Sequence, residues 1–169
     1  MKIAAFDTSS KALTLAILED ETLLAQMTLN IKKNHSITLM PAIDFLMNSL
    51  DMKPTDLDRI AVAQGPGSYT GLRIAVATAK TLAHTLKIEL VGVSSLQALV
   101  PEQAEGLVIP VMDARRNNVY AGFYQSGQAV RPEAHLPLAE VLEMAGTADQ
   151  PVTFVGETAT FAEQIKDAL

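Results

Sequence analysis

The chain opens with three short apolar runs that are separated by polar turns. The first run, residues 3–6, ends at the turn-forming cluster Asp7-Thr8-Ser9-Ser10. The second run spans Leu13 to Leu18 and the third spans Leu23 to Ile31, with a charged turn between them. Short apolar runs joined by tight turns are typical of strands. The pattern therefore predicts an antiparallel three-stranded meander.

A helical pattern follows the meander, from about Ser36 to Met52. Its apolar positions recur at the spacing of one helix face, and they are Leu39, Ile43, Leu46, Met47 and Leu50. Pro41 lacks a backbone N–H, so it has to lie in the first turns of this helix or kink it.

A second unit of strand, helix and strand comes next, with an apolar run at 60–63, a helix from about Thr70 to Lys87 and a short strand at 90–93. Alternating strands and helices imply parallel strands joined by crossovers. We therefore expect two parallel strands added to the meander, which completes one α/β layer.

The pattern begins again after a change of composition near residues 101–106. Strands are predicted at 107–112, 118–124 and 128–131, followed by a helix at 138–145, a strand at 152–155 and a helix from about Thr158. Asp7 and Asp113 each end the first strand of a half, which indicates an internal duplication. We expect two lobes, 1–104 and 105–169. The second lobe is predicted to be incomplete, since Leu169 still lies on helical spacing with no stop signal after it.

Composition and charge exclude several classes of protein. The 169 residues include no cysteine, which excludes disulfide scaffolds, thiol nucleophiles and cysteine-based zinc sites. The 13 basic and 19 acidic side chains give a net charge of −6, so RNA binding would need a local patch or a partner protein. No apolar run approaches the ~20 residues of a membrane helix, and a carboxylate interrupts the N-terminus too early for a signal peptide. We therefore expect a cytoplasmic protein that does not contact a membrane.

Two loops are candidates for binding phosphate. The stretch from Gly65 to Gly71 lies between a strand and a helix, where free amides can bind an anion. Its spacing fits neither a P-loop, nor a dinucleotide fingerprint, nor a nucleophile elbow, so a structural turn and an anion loop both remain open. Asp7-Thr8-Ser9 is similar to the phosphate loop of the actin and sugar-kinase fold but lacks its glycine, and an Asx-type turn is the alternative. The candidate cofactor-binding residues are Asp7, Thr8, Ser9, Gly65, Gly67 and Ser68.

Histidines and arginines supply the remaining polar candidates. The three histidines, His35, His84 and His135, are too far apart in sequence for a helical metal pair, and no metal site or catalytic residue is predicted. His35 lies at a helix start, where Asn34 or Ser36 is a natural cap. The turn around Arg115 and Arg116 is either a solvated hairpin tip or a grip for carboxylate or phosphate.

The helix at 70–87 is apolar around an arc of roughly 200°, about twice the stripe that one packed surface requires. Either the preceding helix or a second chain has to cover the excess. One patch centres on Gly71, Ala75, Thr78 and Leu82, the other on Leu72, Val76, Ala79 and Ala83, and the sequence leaves open which faces the sheet. The predicted interface residues are Leu72, Ala75, Val76, Ala79, Ala83, Met40 and Met47.

The ten residues Gly65-Pro66-Gly67-Ser68-Tyr69-Thr70-Gly71-Leu72-Arg73-Ile74 resemble a known signature. Together with Asp7-Thr8-Ser9, Asn34-His35-Ser36 and Asp113-Ala114-Arg115-Arg116 followed by Val119-Tyr120, they are similar to the bacterial TsaB (YeaZ) family of tRNA threonylcarbamoyladenosine biosynthesis proteins, often labelled glycoprotease-like. The matching segments lie within residues 1–124.

The resemblance implies a two-lobed α/β fold of the actin, heat-shock-protein and sugar-kinase type, which is ribonuclease H-like. It also implies a non-catalytic partner of the TsaD and TsaE proteins in forming threonylcarbamoyladenosine at position 37 of tRNAs that read ANN codons. A helix-mediated heterodimer with TsaD is expected, and a monomer and a homodimer both remain open for the chain alone. We expect no cofactor outside a joint complex, where ATP or ADP could bind, and no tight binding of tRNA by the chain alone. A phosphotransferase of the same fold and a peptidase-like hydrolase are the alternatives.

Overall fold

A computed structural model of the chain describes residues 1–30 and 35–168. The chain divides into two units, Met1–Ser95 and Leu96–Leu169. Each unit is built around one sheet, so each predicted lobe contains one sheet. No helix in the described part of the chain is long and apolar enough to cross a membrane.

The first sheet has five strands in the order β3-β2-β1-β4-β5. Its strands are β1 (Lys2–Asp7), β2 (Leu13–Glu19), β3 (Thr22–Leu29), β4 (Arg59–Ala63) and β5 (Glu89–Val93). The first three pair in antiparallel fashion, while β4 pairs in parallel with both β1 and β5. The predicted meander with two parallel additions is therefore confirmed. The predicted end of the third strand at Ile31 lies outside the described residues.

Two helices pack on one face of this sheet, α1 (His35–Ser49) and α2 (Tyr69–Leu86). The predicted extension of α1 to Met52 is wrong, because Asp51 has the left-handed φ of 51° and turns the chain toward β4. Pro41 lies inside the second turn of α1. The hydroxyl of Ser68 caps α2 by accepting a hydrogen bond from the Gly71 amide at 3.3 Å.

The core of the first unit fills the space between the helices and the sheet. Alternate strand residues such as Phe6 and Leu15 point to the same side, and they pack with Leu39 and Ile43 of α1 and with alanines of α2. The alternation of buried and half-buried positions along β1 and β2 is the period of two that a sheet with one well-covered face requires.

The second sheet has the strand order β8-β7-β6-β9. Its strands are β6 (Leu107–Asp113), β7 (Asn118–Gln125), β8 (Gln128–Pro137) and β9 (Val152–Gly156). This is the order of the first four strands of the first sheet, again with a parallel pairing after the first helix, so the predicted duplication is confirmed. The predicted end of the third strand at Arg131 is wrong, because β8 stays paired with β7 as far as Pro137.

Two helices complete the second unit, α3 (Leu138–Gly146) and α4 (Ala162–Ala168). The predicted helix start near Thr158 becomes a 3₁₀ turn, Ala159–Phe161, directly before α4. Phe161 is buried in a core with α3 residues and the inner face of the second sheet. Leu169 lies outside the described residues.

Candidate functional site

Hydrogen bonds connect the loop that follows β1 with the loop that precedes α2. The Thr8 hydroxyl donates a buried hydrogen bond to the carbonyl oxygen of Gly71 at 2.7 Å. The Ser68 amide donates to the Ser9 carbonyl oxygen at 2.6 Å. The turn after β1 closes on itself as well, since the Ser9 amide donates to the Asp7 carboxylate at 2.6 Å. These bonds join the end of β1 to the start of α2.

Two glycines allow this close approach. A Cβ atom on Gly67 would lie 2.5 Å from the carbonyl oxygen of Ser9, and one on Gly71 would lie 1.9 Å from that of Thr8. Gly67 also has the φ of +152°, which side chains rarely adopt. The space that glycine opens is therefore filled by the main chain of residues 8 and 9.

The same contacts bear on whether the six predicted cofactor-binding residues suit a nucleotide. The structure brings Ser9 against Gly67 and Ser68, whereas the Gly65 carbonyl oxygen accepts a hydrogen bond from the Ser95 amide. The Ser68 and Gly71 amides at the start of α2 already have acceptors within the chain. The Asp7 carboxylate accepts a hydrogen bond from its own turn. Phosphate binding at a helix start needs free amides and room for the anion. These two amides are used within the chain, where they fix the position of α2. The nucleotide-binding role of the six residues stays a prediction.

We expect Gly71→Ala to lower the stability of the first unit sharply. Gly71 is helical, so the added methyl acts through its clash with Thr8 rather than through φ. Overpacking of this kind costs about 1–3 kcal/mol, and more where the main chain has to move. The matched control is Gly146→Ala, in α3, where the nearest atom to the new Cβ would be 3.8 Å away. Thermal unfolding should show a fall of several degrees for Gly71→Ala and none for the control; equal transitions would contradict the close approach.

The inward side of α2 is a row of small residues. Ala75 and Ala79 are 0% exposed, and Gly71 and Ala83 are also buried. The four are spaced four residues apart, which aligns them along one side of a helix. This inward row takes two residues from each of the two patches predicted from the sequence, so neither patch as a whole faces the sheet. The prediction that Ala75, Ala79 and Ala83 lie at an interface was wrong, because their side chains pack against the sheet.

Met47 belongs to the inward side of α1. It is buried in the same core as Leu39 and Leu46, so its predicted place at an interface was also wrong. Met40 is exposed, and Leu72 and Val76 are half-exposed. For these three residues, the interface role stays a prediction.

The outward sides of α1 and α2 expose large apolar side chains. Phe45 is 61% exposed and Tyr69 is 74% exposed. We name this surface the helix face and define it by Ile37, Met40, Phe45, Tyr69, Leu72 and Val76. A groove of about 380 Å³ runs along its α2 part, and α1 packs beside α2. Clustered exposed apolar side chains mark interaction sites.

Three members of the helix face, Ile37, Phe45 and Tyr69, were not predicted from the sequence. On α1, Ile37 and Phe45 fall outside the stripe that contains Leu39 and Ile43. The sequence did contain a signal for them, since a large apolar residue on the polar side of an amphipathic helix does not pack in the core of its own unit.

Charges of both signs border the helix face. On α2, Arg73 and Lys80 line the groove, and the Arg73 guanidinium lies 5.5 Å from the centre of the Tyr69 ring. On α1, Asp44 is exposed between Met40 and Asn48. The surface therefore combines an apolar centre with a basic side on α2 and an acidic group on α1.

The remaining predicted residues are scattered. His35 places Nε2 at 3.2 Å from the carbonyl oxygen of Ser10, and His84 is exposed. Asn34 lies outside the described residues. Arg115 and Arg116 are exposed at the tip between β6 and β7. Within residues 1–30 and 35–168, no group of three or more His, Asp or Glu side chains is arranged to hold a metal ion.

The chain matches a family model, a relative by sequence and two solved structures. The family model of TsaD, a tRNA N6-adenosine threonylcarbamoyltransferase, matches residues 22–168. The tRNA threonylcarbamoyladenosine biosynthesis protein TsaB of Bacillus subtilis is 46% identical over 176 aligned positions, which take in 100% of this chain and 77% of the relative. The structure of YeaZ from Pseudomonas aeruginosa has a TM-score of 0.73 at 33% identity, covering 80% of this chain and 67% of YeaZ.

A more distant structure matches in fold alone. Component A of the (R)-2-hydroxyglutaryl-CoA dehydratase of Acidaminococcus fermentans has a TM-score of 0.50 at 14% identity, covering 78% of this chain and 46% of that protein. The fold is the mixed α/β fold of the actin and sugar-kinase class, as the sequence predicts.

Proposed function

The chain belongs to the TsaB family of tRNA threonylcarbamoyladenosine biosynthesis proteins, and we propose that it acts in this pathway as a non-catalytic partner of TsaD. In this proposal, TsaD transfers the threonylcarbamoyl group to adenosine 37 of tRNAs that read ANN codons. This chain, together with TsaE, supports that transfer in the cytoplasm.

The helix face is the observation that carries the proposal. Phe45, Tyr69 and Ile37 expose more than half of their surface, which is costly in water and favourable against a complementary apolar surface. Aromatic and methionine side chains are enriched at the centres of protein interfaces. A helical surface of TsaD with a matching apolar centre is therefore the expected partner.

The charges around the helix face favour pairing of helices with complementary charges. Asp44 lies on α1, and Arg73 and Lys80 lie on α2. In a symmetric dimer in which α1 of one copy packs against α2 of the other, these charges would meet with opposite sign. The same surface would then pair two copies of the chain in the absence of TsaD.

The closed loops support a role without nucleotide chemistry. The Ser68 amide is bonded to the Ser9 carbonyl oxygen, and the main chain of Ser9 fills the space beside Gly67. We expect the isolated chain to bind ATP or ADP with a dissociation constant weaker than roughly 10 μM, which corresponds to about −7 kcal/mol. Isothermal calorimetry with each nucleotide checks this expectation, and tighter binding with turnover of a small acceptor would favour a phosphotransferase.

Reconstitution with TsaD tests the function directly. The chain should co-purify with TsaD, and tRNA modification by TsaD, TsaE and the enzyme that supplies threonylcarbamoyl-adenylate should fall to background when the chain is omitted. Equal modification with and without the chain would refute the proposal. Proteolytic activity that is lost on changing one serine or histidine would favour a hydrolase instead.

A further inference from the structure

The tip between β6 and β7 has an unusual backbone. Arg115, Arg116 and Asn117 have φ values of 65°, 53° and 60°, so three consecutive non-glycine residues are left-handed. Each such residue costs about 1–2 kcal/mol relative to the right-handed region. Strain of this kind persists only where the surrounding structure fixes it, and it is concentrated at binding sites.

Hydrogen bonds fix the tip from both sides. The Arg115 amide donates to the Asp113 carboxylate at 2.7 Å, and the Asn118 side-chain amide donates to the carbonyl oxygen of Arg116 at 3.1 Å. The first amide of α3, that of Leu138, donates to the carbonyl oxygen of Asn117 at 3.0 Å. The strained conformation is thus anchored to β6, β7 and α3.

The two arginine side chains take no part in this anchoring. Both are exposed, and neither has an ion pair among the described residues. Guanidinium groups form bidentate hydrogen bonds with phosphate and carboxylate oxygens. The tip therefore has an anchored backbone and presents two adjacent exposed guanidinium groups that can bind an anion.

Two carboxylates at the base of the tip limit which anion can bind. Asp113 accepts the Arg115 amide, and Glu157 accepts the Asp113 amide at 2.8 Å. Their charges offset those of Arg115 and Arg116, and residues 105–169 carry a net charge of −5 from 4 basic and 9 acidic side chains. A free phosphate ion would be attracted only weakly. A backbone phosphate of a large nucleic acid can bind here nevertheless, because a partner protein binds the rest of the nucleic acid and the tip adds only a local contact.

We propose that Arg115 and Arg116 contact backbone phosphates of tRNA when the chain is assembled with TsaD. This inference rests on the proposed function, which makes tRNA the substrate of the complex. RNA is favoured over a protein partner, because residues 113–117 include no large apolar side chain, and protein interfaces depend on such anchors at their centre. The contact would orient the tRNA without reading its sequence.

Charge-neutral variants of the tip test the contact. The double variant Arg115→Gln/Arg116→Gln is compared with Arg131→Gln/Lys166→Gln, which removes the same charge from the same unit at other exposed positions. Each is assembled with TsaD, and the affinity for labelled tRNA is measured by fluorescence anisotropy over a range of salt concentrations. We expect the slope of log K against log salt to become shallower by about one for each lost arginine in the tip variant. The control should keep the wild-type slope.

Additional measurements distinguish a tRNA contact from a protein contact and from a small-anion site. Arg115→Lys/Arg116→Lys keeps both charges and should recover most of the salt slope. An unchanged slope in the glutamine variant, or the same change in the control, would overturn the proposal. Loss of TsaD binding by the tip variant without tRNA would identify a protein contact instead, and inorganic phosphate that binds the wild-type chain alone at sub-millimolar concentration would identify a small-anion site. If the wild-type chain does not associate with TsaD, the proposed function itself fails.

Discussion

Ala79→Arg is expected to unfold the first unit of this protein. Ala79 is 0% exposed and packs against the sheet together with Ala75. An arginine there would bury an unpaired charge and force α2 away from β4. Leaving a buried charge without a partner costs about 3–5 kcal/mol, a large part of the ~5–15 kcal/mol that stabilises a typical domain.

The measurement is thermal unfolding followed by circular dichroism, with Ala77→Arg as the matched control. Ala77 lies on the same helix two residues earlier but is exposed. The control should keep its transition within a few degrees of the wild type, because surface substitutions rarely change stability by more than about 0.5 kcal/mol. A stable Ala79→Arg variant would mean that α2 does not bury this row.

Met40→Arg and Val76→Arg are expected to weaken TsaD binding strongly while the protein stays folded. Met40 is exposed on α1, and Val76 is half-exposed on α2 in the groove. An arginine at position 40 can extend into solvent in the free chain. Val76 also packs against the core of the first unit, so thermal unfolding of its variant is measured first. In a complex, an arginine at either position would lie desolvated at the interface, where truncating or charging a central residue costs at least about 2 kcal/mol. We expect affinity to fall by about 30-fold or more for each variant.

Calorimetric titration with TsaD measures this effect, and Thr85→Arg is the control. Thr85 is exposed on the flank of α2 away from the groove, so it carries the same new charge outside the helix face. Two results would contradict the interface assignment: both variants binding like the wild type, or Thr85→Arg weakening binding equally. Analytical ultracentrifugation of the same variants shows whether self-association uses the same surface.

Much of the fold follows from local sequence. The β1–β3 meander and the equivalent positions of Asp7 and Asp113 at the ends of two strands are predicted from short apolar runs and turn residues. Such patterns depend on residues that are near in sequence. The longer β8 could not be predicted. The part of β8 after Arg131 contains Pro132 and His135, and only pairing with β7 extends the strand through this part.

The candidate site, too, could be predicted only in part from the sequence. The sequence alone determined that Asp7, Thr8, Ser9, Gly65, Gly67 and Ser68 lie in two segments that each follow an apolar strand. It also determined that α2 has more apolar surface than one contact requires. Only the tertiary structure decided that the two segments bind each other, because their contacts join residues about sixty positions apart. It also decided that Ala75, Ala79, Ala83 and Met47 face inward and that Met40 faces out. A helix with apolar residues on most of its circumference has no preferred inner side until a sheet packs against it, since burial is a property of the packed neighbours rather than of the helix.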